Sequence, residues 1–449
     1  MSTDRFAAVI LAAGKGTRME SDRPKVLHHL AGRPMINHLL ATVAALGPER
    51  ILVVVCPGMD AVAQAVAPAR TVVQTEQLGT GHAVMAAREG LAGFEGTVLV
   101  LYADTPLLGA ENITCVLEAA RAGDGAAIVV LGFRPGGPNE YARLIVSGGE
   151  LERIVEFKDA SDGDLRIELC NSGVMAVDST VLGDLLGGVG SGNAKGEYYL
   201  TDTVAIARGR GLRCVAVEGP ADELLGINSR AELAAAEAVV QRGLRARAMA
   251  GGVTMIDPDS VWLSYDTSLG RDVTVEPHVY FGPGTSVGDG ATIRAFSHFE
   301  GASIAADAIV GPFARLRPGA RVGSGAKIGN FVEIKQTDVQ AGAKVNHLTY
   351  LGDAVVGPKA NIGAGTITCN YDGYSKAQTH IGAGAFIGSN ATLVAPVRIG
   401  DGAYIAAGST VTDDVPDDAL ALARERQVTK PGRAAELRAR LQAAKAAKK

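Results

Sequence analysis

The side chains best suited to chemistry fall into two groups of different character. Near the start, Leu11-Ala12-Ala13-Gly14-Lys15-Gly16-Thr17-Arg18-Met19 places a glycine-rich turn directly after an apolar strand, and Pro24-Lys25 follows a short loop later. Such a turn points consecutive backbone N–H groups into one concavity, which suits phosphate oxygens or a base edge, while Arg18 and Lys25 add mobile positive charge. The spacing matches neither the P-loop nor the dinucleotide fingerprint; what strengthens it is a rigid proline able to aim Lys25 back at the turn. Tyr102-Ala103-Asp104 ends another apolar strand, where a carboxylate is a natural Mg²⁺ ligand beside nucleotide phosphates, and Asn228 offers a neutral oxygen to complete the site. The plainer alternative is an Asp that only opens the Asp104-Thr105-Pro106 turn.

The second group lies far along the chain. Arg315-Leu316-Arg317-Pro318-Gly319 and Asn330-Phe331-Val332-Glu333-Ile334-Lys335 carry cations suited to a sugar phosphate, and Asn346-His347-Leu348-Thr349-Tyr350-Leu351-Gly352-Asp353 supplies an imidazole beside hydroxyl and amide groups. Cys369 is available as an acyl carrier, but a base acting on an amine makes a covalent relay unnecessary, so it reads as a packing residue.

These groups require two scaffolds. Up to about Asn228, apolar strands (6–12, 51–56, 97–102, 126–132) alternate with helical patterns (34–46, 81–91, 111–122). That alternation predicts an α/β layer domain with a largely parallel sheet and ligands at the carboxyl ends of its strands. Residues 229–250 open with a capping box, Ser229 and Glu232, and stop at Gly251-Gly252, predicting one long connecting helix. Beyond it an aliphatic residue recurs every sixth position, at Ile381, Ile387, Leu393, Ile399, Ile405 and Val411, and earlier at Val322, Ile328 and Ile334. No helix or ordinary strand has that period; it belongs to a parallel β-helix, whose short strands each send one side chain into an axial core. The register slips near Val339 and Val356, a longer excursion spans 370–379, and residues 433–449 read as a short helix or frayed tail. The chain therefore divides into 1–228, 229–251 and 252–449.

Composition narrows the partners. At 449 residues, 47% apolar and 20% charged, the chain is an ordinary globular protein of two or three domains. A net charge of -5 and a pI near 6.0 give no reason to expect nucleic acid or an anionic membrane. The apolar runs fall well short of the roughly 20 residues a membrane span needs. The N-terminus carries Asp4 and lacks a signal-peptide layout. Five cysteines without a CxxC pair suggest reduced thiols in a cytosol and no zinc cage.

The stretch from Leu11 through Lys25 resembles the hallmark of the nucleotide-sugar pyrophosphorylases. Gln74-Thr75-Glu76-Gln77-Leu78-Gly79-Thr80-Gly81-His82, Glu156-Phe157-Lys158, Asn171-Ser172-Gly173 and Gly196-Glu197-Tyr198-Tyr199-Leu200-Thr201-Asp202 narrow the likeness to the uridylyltransferases. The resemblance implies that Leu11, Ala12, Ala13, Gly14 and Gln74 read uracil, that Gly79 and Thr80 line the nucleotide site, and that Arg18 and Lys25 hold phosphates. It also implies that Tyr102, Glu156, Asn171 and the backbone at Ala142 contact an N-acetylhexosamine, and that Asp104 and Asn228 bind Mg²⁺. Ala103 and Ala142 depart from the family's usual glycine, each adding a methyl where backbone approaches ligand.

The later strings, with Asn361-Ile362-Gly363-Ala364-Gly365-Thr366-Ile367-Thr368-Cys369-Asn370-Tyr371-Asp372-Gly373, extend the likeness over nearly the whole chain. They resemble the family of bifunctional N-acetylglucosamine-1-phosphate uridylyltransferase/glucosamine-1-phosphate N-acetyltransferases. This implies an α/β Rossmann-like nucleotidyltransferase domain, a linker helix and a left-handed β-helix. His347 would be the general base, Arg317 and Lys335 would hold substrate phosphate, and Tyr350 and Asn361 would bind the sugar. Acetyl-CoA would contact Ala364, Asn370, Tyr371, Ser389, Ala407 and Arg424. The same likeness implies a cytoplasmic homotrimer built through the β-helix, with acetyl-CoA sites shared between subunits, serving cell-wall precursor synthesis. One rival reading keeps only uridylyl transfer and makes the β-helix a scaffold; a second is a nucleotide-sugar sensor that binds UTP without releasing pyrophosphate.

Overall fold

The computed structural model describes residues 5–14, 16–123 and 125–447; Asp4, Lys15, Lys448 and Lys449 lie outside them. The chain forms two compact units, one of residues 1–246 with 263–265, the other of 247–262 with 266–449. No helix among the described residues is long and apolar enough to cross a membrane.

The first unit is built on a nine-stranded sheet. Its strands are β1 (Phe6–Leu11), β2 (Arg50–Val55), β3 (Arg70–Val73), β4 (Thr97–Tyr102), β5 (Ile128–Phe133), β6 (Arg143–Ser147), β7 (Glu150–Val155), β8 (Cys170–Asp178) and β9 (Cys214–Glu218). The spatial order is β9-β5-β8-β4-β1-β2-β3, with the β6–β7 hairpin attached to β8. β1 to β4 pair in parallel, as do β5 and β9, in line with the alternation, but β8 is antiparallel to both β4 and β5, and the β6–β7 hairpin is antiparallel as well. Alternate residues of each strand enter opposite cores: Ala8, Ile10, Leu99 and Leu101 on one face, Ala7, Val9, Val98 and Val100 on the other. With both faces covered, the strands must be apolar throughout, and burying each Leu or Ile contributes roughly 1.5–3 kcal/mol. β1 lies between β2 and β4, so the glycine-rich turn after Leu11 and the Tyr102-Ala103-Asp104 turn emerge side by side, fixed by the Ala103 N–H donating to the Leu11 carbonyl at 3.0 Å.

The helix Arg230–Ala250 starts on the predicted capping box: Glu232 N–H donates to Ser229 Oγ at 3.2 Å, and Glu232 Oε2 accepts from Ser229 N–H at 2.9 Å and Asn228 N–H at 2.6 Å. The cap therefore also fixes Asn228.

In the second unit, among the described residues, 23 strands pair parallel in sequence, most also bonding to the third one on, so three strands make one coil; Lys327–Val339 and Lys344–Val356 are long strands that run on through the corners. The first face runs through Lys327, Lys344, Asn361, Phe386 and Tyr404; the second through Glu333, Tyr350, Ile367 and Thr392; the third through Asp338, Val355, His380 and Arg398. The six-spaced aliphatic residues are all buried, from 0% exposed at Ile387 to 4% at Val411. Ile309 pairs with Lys327 eighteen positions on, whereas Lys327 pairs with Lys344 and Lys344 with Asn361 at seventeen. That shortened coil is the slip read near Val339 and Val356. Ala354 then pairs with Thr379, so the excursion is looped out without interrupting the stack. Along the edge between the first two faces, His278, Phe296, Phe313 and Phe331 stack ring on ring with centroids 4.9, 5.0 and 5.1 Å apart. The tail forms a helix, Arg433–Ala446, with no buried residue.

Candidate functional site

The turn after β1 closes a cavity of about 360 Å³ lined by Leu11, Ala12, Ala13, Gly14, Lys25, Gln74, Gly79, Thr80, Tyr102 and Asp104, with Val26, Gln77, Ala83 and Glu197. It sits at the carboxyl ends of β1 and β4, where an α/β sheet presents ligands. Gln74 is nearly buried, and its amide donates to the Gly79 carbonyl at 3.1 Å and meets His82 Nδ1 at 3.2 Å. Gln77 Nε2 donates to the Ala13 carbonyl at 2.7 Å. Gly16 has φ +62°, and a Cβ there would meet Lys25 Cβ at 2.6 Å, so this glycine is what lets Lys25 pack against the turn.

At the mouth, Lys25 Nζ lies 2.5 Å from Asp104 Oδ2 and 2.9 Å from Asn228 Oδ1. The Ile227 N–H donates to the Asp104 carbonyl at 2.9 Å, tying the two donors together. A carboxylate and an amide oxygen thus already converge on one cationic centre. This donor set suits a hard cation such as Mg²⁺, which prefers oxygen ligands and keeps several waters. Among the described residues no group of three or more His, Cys, Asp or Glu side chains could hold a metal, so any ion here relies on two protein oxygens and its substrate.

Arg18 is exposed on a short helical turn, Thr17–Met19, and is not among the cavity-lining residues. Ala103 and Ala142 lie in the two apolar cores, so their methyl groups pack there. The Ala142 carbonyl accepts from Asn171 N–H at 2.8 Å, and Asn171 Oδ1 accepts from Gly173 N–H at 2.9 Å. Glu156 accepts from Thr201 Oγ1 at 3.0 Å and lines a separate cavity of about 390 Å³ with Asp159, Asn193, Tyr199 and Asp202. Burial raises the Glu156 carboxyl above its ordinary range, opposed by the Thr201 bond and Lys195. Burial, then the Glu156 charge, also pushes the Tyr102 phenol up, against a bond from Thr80.

In the second unit, the edge between the first two faces gathers Asn330, His347, Ala364, Ser389 and Ala407 on successive coils. Gly365 N–H donates to the His347 carbonyl at 3.3 Å, Asn390 N–H to Ala364 at 2.7 Å, and Gly408 N–H to Ser389 at 2.8 Å. A Cβ on Gly408 would lie 3.9 Å from Arg424 Cδ, which places Arg424 at the next step. His347 is exposed, and its Nδ1 meets Asn330 Oδ1 at 2.7 Å.

The next edge carries the cations. Arg317 donates to Glu333 at 2.9 Å, and the Lys335 ammonium is held below its ordinary range by contact with Lys376, with Asp353 acting in the opposite sense and Arg317 in the same one. Asn370 donates to the Asp353 carboxylate, and a Cβ on Gly352 would collide with the Tyr350 hydroxyl and meet the Asn370 amide at 2.8 Å. Tyr350 and Asn370 therefore lean over a residue that has no room for a side chain. Tyr371 is exposed at the start of the excursion, and Asn361 stands on the face before His347.

The structure thus brings His347, Ala364, Ser389, Ala407 and Arg424 together on one edge, and Arg317, Lys335, Tyr350 and Asn370 on another. Sequence reasoning missed Gln77, Glu197, Asn330 and Lys376 as site residues; the first three lie inside strings it singled out, while Lys376 is set by the fold of the excursion. Cys369 is exposed and free, which corrects its reading as a buried packing residue: it ends a two-sided strand, Ile367–Cys369, where only Thr368 points inward.

A family model described as a MobA-like NTP transferase domain matches residues 8–166, and one for the bacterial transferase hexapeptide (six repeats) matches residues 378–413. The hexapeptide match makes the three-strand coil a left-handed parallel β-helix. The bifunctional protein GlmU of Paramagnetospirillum magneticum is 56% identical over 449 residues, covering 100% of both chains. That of Rhodospirillum rubrum is 61% identical over 97% of this chain and 98% of its own, and that of Xanthobacter autotrophicus 54% over 98% of each. Identity of this order runs through both units, and the chain belongs to the family of bifunctional GlmU proteins.

Proposed function

We propose that this enzyme acetylates glucosamine 1-phosphate with acetyl-CoA and then joins the product to UTP, giving UDP-N-acetylglucosamine and pyrophosphate. The observation that carries the reading is that one unit holds a cavity with Lys25, Asp104 and Asn228 converging at its mouth while the other holds an exposed, oriented imidazole.

In uridylyl transfer a phosphate oxygen of the sugar 1-phosphate attacks the α-phosphorus of UTP in line, and the bond to pyrophosphate breaks. No protein nucleophile is needed. Gln74 and the backbone of Leu11 to Gly14 orient the base; Lys25, joined by Arg18 when the exposed turn meets a ligand, offsets phosphate charge. Tyr102, Glu156, Asn171 and the Ala142 backbone hold the sugar. Mg²⁺, held by Asp104 and Asn228, would neutralise part of the triphosphate charge. Lys25 now spans those two oxygens, and with Mg²⁺ held there its ammonium would be free to face the phosphates.

In acetyl transfer, the glucosamine ammonium has no free lone pair until it loses a proton. His347 Nε2 accepts that proton; the amine attacks the thioester carbonyl, and the C–S bond breaks to release CoA. Arg317 and Lys335, with Lys376, hold the phosphate. The base and these cations occupy different edges of the coil, which supports a homotrimer in which one protomer's His347 edge faces its neighbour's cationic edge. The exposed stripe of Phe296, Phe313, Phe331 and Leu348 beside His347 supports the same assembly. We assign residues 1–228 to uridylyl transfer, 229–251 to the linker and 252–449 to acetyl transfer, in a cytoplasmic enzyme.

The test is a coupled assay on wild type, His347→Ala and Asp104→Ala. His347→Ala is expected to abolish CoA release and keep pyrophosphate release, and Asp104→Ala the reverse. Absence of CoA release from wild type would leave the β-helix as a scaffold, and UTP binding without pyrophosphate release would leave a sensor.

A further inference from the structure

A third charged cavity, of about 540 Å³, is lined by the loop from Arg134 to Asn139. It shares no lining residue with the nucleotide cavity. Its walls carry Arg134, Arg143 and Arg166 against a single acidic residue, Glu168, with Phe157 and Ile167 among the apolar remainder.

Arg143 is the informative group. It is only 5% exposed, and its guanidinium donates from one nitrogen to Asn139 Oδ1 at 2.9 Å, to the Tyr141 carbonyl and to Cys170 Sγ at 3.3 Å. Its Nε is buried with no hydrogen-bond partner. Among the described residues no carboxylate pairs with it, and the neighbouring sulfur is no counter-ion, because burial pushes the Cys170 thiol up and keeps it neutral. Arg134 is neutralised by Glu168 at 3.2 Å and Glu218 at 3.0 Å, whereas Arg166 is exposed on the helical turn Asp164–Arg166 with no acidic partner among the described residues. A buried guanidinium lacking an anion is costly unless something supplies the missing charge, and guanidiniums present paired donors that match oxyanions.

We infer that this cavity binds a free phosphate-type oxyanion between Arg143 and Arg166. Arg143 supplies the buried charge and the unpaired donor; Arg166 closes over the anion from the rim. The site adjoins the sugar pocket through the chain itself, since Arg143 follows Ala142 and Cys170 precedes Asn171.

The test uses the full-length protein with UDP-N-acetylglucosamine, CoA and N-acetylglucosamine 1-phosphate at saturating concentration, so that both reaction sites, the sugar-phosphate cradle of Arg317 and Lys335 included, are filled. Inorganic phosphate is titrated while the thermal midpoint is followed, in wild type, Arg166→Ala and Arg143→Gln. Crystals grown under the same conditions are soaked in tungstate. Wild type is expected to gain stability with phosphate, Arg166→Ala to bind at least about tenfold more weakly, and tungstate to appear between the two guanidiniums. Arg166→Ala is exposed and leaves the fold intact, so the test stands even if Arg143→Gln fails to fold. Identical titrations of wild type and Arg166→Ala, or crystals with no tungstate in this cavity, would overturn the inference.

Discussion

Asn330 Oδ1 lies 2.7 Å from His347 Nδ1, across directly paired positions of the strands Lys327–Val339 and Lys344–Val356. A carboxamide oxygen can only accept, so Nδ1 carries the ring proton and Nε2 keeps its lone pair. Replacing Asn330 by Ala is expected to slow acetyl transfer roughly 10- to 100-fold, the usual effect of losing a group that orients a functional histidine. Pyrophosphate release should not change. An Asn330→Ala enzyme with wild-type CoA release at every pH would remove the tautomer argument.

Lys25 is the hinge of the other site. Lys25→Gln leaves Asp104 and Asn228 without their present cation and leaves the phosphates without a mobile one. We expect uridylyl transfer to fall about 10²- to 10³-fold, as when a donor to developing charge is removed. The Mg²⁺ concentration for half-maximal rate should drop, because the ion no longer competes with an ammonium. An unchanged or higher Mg²⁺ requirement would mean that Lys25 does not occupy the ion's place.

Glu156 gives a pH-dependent stability. Its folded-state affinity for a proton exceeds that of an unfolded Glu, chiefly through burial, so it stabilises the fold at low pH and that contribution is lost as pH rises through its raised value. Glu156→Gln removes the charge while keeping the shape. The variant should unfold a few degrees higher than wild type at pH 7, about 1–3 °C, and show no advantage at pH 4. The same change should weaken sugar 1-phosphate binding. A variant less stable than wild type at pH 7 would assign Glu156 a net stabilising ionised form.

Lys335 and Lys376 repel each other and so hold a place for an anion. Lys376→Met should raise the KM for glucosamine 1-phosphate about tenfold with little change in kcat, consistent with loss of one charge-assisted contact. Equal losses in kcat and KM would point to chemistry rather than binding.

The exposed stripe beside His347 predicts the assembly. Phe313→Glu places a charge in the middle of the stacked rings. Sedimentation should then show dissociation to smaller species, with CoA release lost and pyrophosphate release kept. A variant that stays trimeric would move the interface elsewhere.

Much of this was legible in the residues themselves. The period of six predicted the coil because every repeat uses one inward aliphatic, and Ser229 with Glu232 predicted the helix start because capping is local chemistry. The strand β8 was not foreseen: Asn171-Ser172-Gly173 breaks its apolar run, and Gly173 sits where the β8 register shifts between Asn171 and Met175. The β6–β7 hairpin carried a signal that went unread, Gly148-Gly149 between two short runs holding Leu144-Ile145-Val146 and Ile154-Val155, the type of pair that favours a tight turn. The helical pattern over 81–91 is in fact Thr80–Ala86 followed by the turn Arg88–Leu91. The nucleotide-lining residues were found because they are contiguous in sequence. The partition of the acetyl-transfer residues between two edges was not, because it depends on whether a coil takes seventeen or eighteen residues.

The looped-out segment between Asn370 and Thr379 shows how such a coil can change its chemistry. Hydrogen bonding resumes at Thr379 as if nothing had been inserted, yet the detour carries Tyr371 and Lys376 to an edge that already holds Arg317 and Lys335. A stacked scaffold with this tolerance is evolvable by insertion: new ligand contacts arise as ornaments at a corner, and the ladder that bears the load is never rewoven.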